Sequence, residues 1–167
     1  MIRIFGLIFL LHVTHSDISS IRQSYKSAIY SEKSAEKLLE ELEDITLENP
    51  LKYAYKGATH ALLAQYLINP YSKLESVKTG SMMLDDAVIA ASANMEIRYL
   101  RYSIEKNLPS FLPYRKHIKQ DELRIVNALV AKQDNLSPEI HKEVIQYMLK
   151  NAQLSTENKN SLEDLIN

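Results

Sequence analysis

An all-α fold is what the sequence predicts: antiparallel helical hairpins, stacked on one another or gathered into a small bundle. Three observations predict it. The chain has 167 residues but only three glycines and five prolines, and β-hairpins and βα loops draw on glycine. Apolar residues recur at three- and four-residue spacing along most of its length, the period of a helix with one buried face. Breaks fall where asparagine, serine and proline cluster, and no segment reads as a strand.

The elements follow in order. The opening MIRIFGLIFLLHVTHSD places Arg3 before an apolar run, Ile4 to Leu11, which is too short to span a bilayer. Thr14 and Ser16 then precede Asp17 at the spacing of a cleavage site, so residues 1–16 read as a secretory signal peptide. The expected mature chain is 17–167, a single domain, exported to the periplasm or beyond; if the leader is not a signal, the expectation is a cytoplasmic protein. Ile18, Ile21, Tyr25 and Ala28 or Ile29 mark a first helix. A second is capped by Ser31 or Ser34 and buries Ala35, Leu38, Leu39, Leu42 and Ile45, with glutamates outside. Glu-Asn-Pro at 48–50 ends it. A third runs from about Leu51 to Ile68, and Asn69-Pro70 separates it from a fourth, about Tyr71 to Ala91. Asn94 caps a fifth that reaches about Leu108. Pro109 and Pro113 break the chain before a sixth, Tyr114 to Lys132, whose inner face carries Ile118, Ile125, Val126 and Leu129. Ser137-Pro138 opens a seventh, with a stripe of Ile140, Val144, Tyr147 and Met148. A last helix covers about Thr156 to Ile166.

Ala54, Gly57, Ala58, Ala61 and Ala64 fall on adjoining ridges of the third helix, and Gly80 lies mid-helix in the fourth. Glycine there costs about 1 kcal/mol against alanine, so the sequence predicts a close crossing of these two helices. Small residues at hairpin contacts, with Asn-Pro turns, suggest a TPR-like α-α superhelix. The two Asn-Pro marks, at 49–50 and 69–70, are closer together than a tetratricopeptide period. The segments YKGATHALLAQYLINPYSKL and EIRYLRYSIEKNLPSFLPY, within about residues 50–125, resemble a family of short, signal-bearing, uncharacterised helical proteins of Bacteroidota bacteria. The resemblance implies an exported helical protein and supplies no activity.

Charge and composition exclude several classes of function. Net charge is −1 and cysteine is absent, so there is no broad basic field for nucleic acid, no disulfide, no thiol chemistry and no lipoprotein anchor. No histidine beyond the leader has a metal-ligand partner at helical spacing on its own helix. Asp85 and Asp86 diverge by about 100° on a helix. Glycine-rich phosphate loops are missing. The sequence therefore predicts no catalytic residue, no metal, no cofactor and no nucleic-acid partner, and no transmembrane span after the leader.

One stretch stands out, Met95 to Tyr114. Ile97, Leu100, Ile104 and Leu108 form its apolar stripe, with Arg98 and Arg101 beside it. A turn centred near Ala93 sets Asp85 opposite Arg101, which predicts a cross-hairpin bridge. The rival expectation is that Arg98, Tyr99, Arg101 and Tyr102 form a recognition surface, since arginine and tyrosine anchor interfaces. Phe111 and Leu112 are expected to tuck beneath the following hairpin. The functional expectation is a non-enzymatic module for another protein or a peptide. The alternative is a small-ligand-binding or envelope-associated protein with a pocket between hairpins.

Overall fold

The computed structural model describes residues 17–166; the signal-peptide expectation lies outside these. The described chain forms α1 (Ile18–Ala28), α2 (Glu32–Glu41), α3 (Pro50–Leu63), α4 (Pro70–Ala90), α5 (Met95–Asn107), α6 (Ile118–Val130), α7 (Pro138–Asn151) and α8 (Thr156–Asp164). It is all-helical, and no strand occurs among the described residues.

Helix starts are written in cap chemistry. The side chains of Ser31, Asn49, Asn69, Asn94 and Ser155 each accept a first-turn N–H, satisfying donors that have no partner within the helix. The two Asn-Pro pairs are starts as much as stops, with asparagine at the cap and proline at the first helical position. Ser137 departs from its expected role. The N–H groups of Ile140 and His141 bond its backbone carbonyl instead, and its buried hydroxyl has no partner among the described residues. Asn69→Ala should cost about 1 kcal/mol. Ser137→Ala should stay within about 0.5 kcal/mol, having no cap bond to lose. Urea denaturation of the two variants checks the contrast.

Three boundaries differ from expectation. α2 stops at Glu41, and 42–49 form turns. Lys56 Nζ stitches those turns to α3 by donating to the carbonyls of Glu43, at 2.6 Å, and Ile45, at 3.3 Å. α3 stops at Leu63. α6 starts at Ile118 rather than Tyr114, because 108–117 is an irregular connector whose end is held by a distant carboxylate, described below.

The core has two parts, and α5 belongs to both. Ile97, Leu100 and Ile104 pack with Ile21, Leu38, Leu42, Ala58, Leu84 and Val88 from α1 to α4 and the turn after α2. Tyr99 and Tyr102 pack with Ile125, Leu129, Val144, Ile145, Met148 and Leu162 from α6, α7 and α8. α5 is therefore buried on several faces, and its charged residues have little route to water.

The expected close crossing of α3 and α4 is present. Ser76 Oγ donates to the His60 carbonyl at 2.6 Å, while Gly57 faces Gly80, Met83 and Leu84. Residue numbers rise on one helix as they fall on the other, so the pair is antiparallel.

Candidate functional site

The charged residues of α5 organise two buried networks. At its first turn, Glu96 receives Arg22 of α1 in a bidentate pair, Nε to Oε1 at 2.8 Å and Nη2 to Oε2 at 2.7 Å. Tyr55 of α3 donates to the same Oε1 at 2.7 Å. The remaining guanidinium nitrogen of Arg22 reaches Glu139 of α7 at 2.6 Å. Hydrogen bonding to Glu96 raises the Arg22 pKa above its ordinary value, outweighing the cost of burial. Burial, then the charge of Glu96, pushes the Tyr55 phenol well above the usual tyrosine range, so its proton stays available for donation. Glu139 is held below the ordinary carboxylate value by hydrogen bonds from Ser19 and then Arg22.

In the second network Asp121, 0% exposed, sits in the first turn of α6, where the helix dipole favours a negative charge. Arg98 Nη1 donates to its Oδ1 at 2.8 Å. Arg101 grips both oxygens, Nε to Oδ2 at 2.8 Å and Nη2 to Oδ1 at 3.0 Å. Arg98 Nε also bonds the Ser92 carbonyl at 2.8 Å, and Arg101 Nη1 reaches Asp85 of α4 at 3.0 Å. The last contact is the cross-hairpin bridge the sequence predicts. Burial alone would lower the Arg101 pKa; the hydrogen bonds it donates to Asp121 and then to Asp85 more than offset it, and it stands raised.

These placements correct the recognition-surface expectation. Arg98, Tyr99, Arg101 and Tyr102 are all buried. Both arginines point at internal acids. Tyr102 donates to Glu122 at 2.7 Å, and Tyr99 and Tyr102 stack edge-on against Tyr147. The sequence left exposure open as the rival reading because it shows one apolar stripe on α5, whereas the fold buries a second face as well.

The network continues to a half-exposed cluster. Glu105 of α5 accepts the backbone N–H of His117 on Oε2 at 2.8 Å, and its Oε1 lies 2.8 Å from His117 Nδ1. Asp85 Oδ1 lies 3.4 Å from the same nitrogen. Three donor groups of a metal-ligating type thus converge from α4, α5 and the residue before α6. Sequence reasoning missed this cluster because it looked for ligands on a single helix. The register that pairs Asp85 with Arg101 places Glu105 one turn further along, but the path of 108–117, which delivers His117, has no periodic signal.

At the C-terminal end of α5 an apolar groove of about 540 Å³ opens between the α3–α4 hairpin and the connector. Ala61, Leu74, Val77, Ile104, Leu108 and Phe111 line it, with Gln65, Lys73 and Asn107 as its polar members. The expectation that Phe111 tucks inward is corrected: Phe111 is 82% exposed, while Leu112 is half-buried in the groove wall. Ile68 and Tyr71, also exposed, flank the turn that enters α4.

No family model, curated protein or solved structure matches the chain. No helix among the described residues is long and apolar enough to cross a membrane.

Proposed function

We propose that this chain is an exported, non-enzymatic binding module that takes apolar side chains of a peptide or protein segment into the groove between α3, α4 and α5. The observation that carries the proposal is an open apolar groove with the strongly exposed Phe111 at its lip. A volume of about 540 Å³ lies in the range of specific ligand pockets, and exposed apolar area of this kind marks interaction sites. The buried carboxylates Glu96 and Asp121 accept donors on both of their oxygens, which suits ion-pair struts rather than proton transfer.

Selection of a displayed peptide library on residues 17–167 tests it. Recovered peptides should carry closely spaced apolar residues. They should lose at least about tenfold in affinity for Leu74→Asp or Phe111→Ser, a loss of about 1.4 kcal/mol, with melting temperature unchanged. Equal binding to wild type and both variants would refute the groove. Lys73 at the rim favours a second reading, a ligand with an apolar body and a carboxylate. Displacement of a fluorescent fatty acid, abolished by Lys73→Glu, would select it. Export is tested separately by N-terminal sequencing of the protein from its host, where an intact Met1 on the recovered chain counts against cleavage.

A further inference from the structure

We propose that Asp85, Glu105 and His117 form a site for a divalent cation of the zinc or cobalt type, independent of the groove's ligand. The geometry carries this first. His117 Nδ1 lies 2.8 Å from Glu105 Oε1 and 3.4 Å from Asp85 Oδ1, and all three candidate ligand atoms lie within 4.8 Å of one another. Ligand–ligand separations of about 3 Å are what metal–ligand bonds of roughly 2.0–2.2 Å produce around a single ion.

The lone pairs carry it second. A neutral imidazole nitrogen and a carboxylate oxygen at hydrogen-bond distance need an electrophile between them. One proton on Nδ1 serves one acceptor, whereas two carboxylates converge on it here. The Glu105 side chain is 6% exposed, and among the described residues its Oε1 has no hydrogen-bond partner except that ring nitrogen. A cation at the point of convergence meets all three groups.

Charge carries it third. The connected network holds three carboxylates, Asp85, Glu105 and Asp121, against two guanidinium groups, Arg98 and Arg101. It is one positive charge short before His117 is counted. Arg101, bonded to Asp85 Oδ1 at 3.0 Å, stays on that carboxylate as an outer partner that orients it. One imidazole and two carboxylates suit zinc, cobalt, manganese or ferrous iron better than calcium, which prefers an all-oxygen set. Three protein ligands leave further positions for water. The ion would pin α4, α5 and the end of the connector together, fixing one end of the segment that carries Phe111.

The test is a titration of chelator-treated residues 17–167 with Co²⁺ at neutral pH, followed by visible absorption, then by displacement with Zn²⁺. One equivalent should bind, with a d–d band showing nitrogen and oxygen ligands, and Zn²⁺ should abolish the band and raise the melting temperature. His117→Ala and Asp85→Asn should each weaken Co²⁺ by at least about tenfold, while Asp86→Asn, on the neighbouring residue, should leave it unchanged. Both informative substitutions are at partly exposed residues, 28% and 41%, so they report binding even where Glu105→Gln destabilises the fold. No spectral change, or a band that persists in both His117→Ala and Asp85→Asn, would overturn the proposal.

Discussion

Asp121→Ala should lower the unfolding free energy by about 3–5 kcal/mol, the largest effect of any single side-chain truncation in the polar network. The reason is what it leaves behind. Arg98 and Arg101 are both buried, and three of their hydrogen bonds end on this one carboxylate. Without it, among the described residues Arg98 keeps only the Ser92 carbonyl and Arg101 keeps only Asp85, which is 41% exposed and therefore well screened. Two like charges would face each other with no anion between them. Asp85→Asn should by contrast cost at most about 1 kcal/mol, because it removes a solvent-facing partner. Urea denaturation with a common slope tests the order, and equal losses for the two variants would contradict it. Replacing Arg98, Arg101 and Asp121 together by Met, Met and Leu should recover most of the loss, since a well-packed apolar set avoids the desolvation cost that the ion pairs carry. Recovery would mean that the carboxylate matters chiefly for the charges it neutralises.

Much of this architecture was legible. Asn49-Pro50 and Asn69-Pro70 announced helix starts, because an asparagine cap and an N1 proline are local chemistry that tertiary context rarely overrides. The bridge from Asp85 to Arg101 was legible because a hairpin with a short turn has only one register. Gly57 and Gly80 signalled a close approach because a mid-helix glycine needs a compensating contact. Illegible parts share a different cause. Burial of Arg98 and Tyr102 depends on α6 and α7 packing on the second face of α5, and that apposition is set by contacts far apart in sequence. Asp121 looked like one of several acids at a charged helix start. Only the fold shows that it alone lies at the meeting point of two arginines. The groove was hidden for a related reason. Its lip is the connector after Leu108, whose course is fixed at the far end by Glu105 and His117 rather than by any local preference.

Gly80→Ala should destabilise the protein by about 1–3 kcal/mol, although alanine is the better helix former by about 1 kcal/mol. An added Cβ would run into the Gly57 carbonyl oxygen and would lie 2.6 Å from Ala61 N and 2.8 Å from Ala61 Cβ. The obstacles are backbone and Cβ atoms of α3, which have no rotamer to change. The two helices must therefore move apart, and the loss of packing along their length outweighs the propensity gain. Lys78→Ala, on the exposed side of the same helix, has no such obstacle and should stay within about 0.5 kcal/mol. Gly57→Ala meets Met83 Cβ at 2.8 Å and the Gly80 carbonyl at 3.0 Å, so it acts on the same gap from the other side. The double variant should then cost less than the sum of the singles, because the first substitution has already opened the space the second requires. Additive losses in a double-mutant cycle would show that the two glycines relieve separate contacts. The same displacement should reach the groove, since Ala61 belongs to both the crossing and its wall. A Gly80→Ala protein that is still folded should bind groove ligands more weakly while keeping its Co²⁺ affinity.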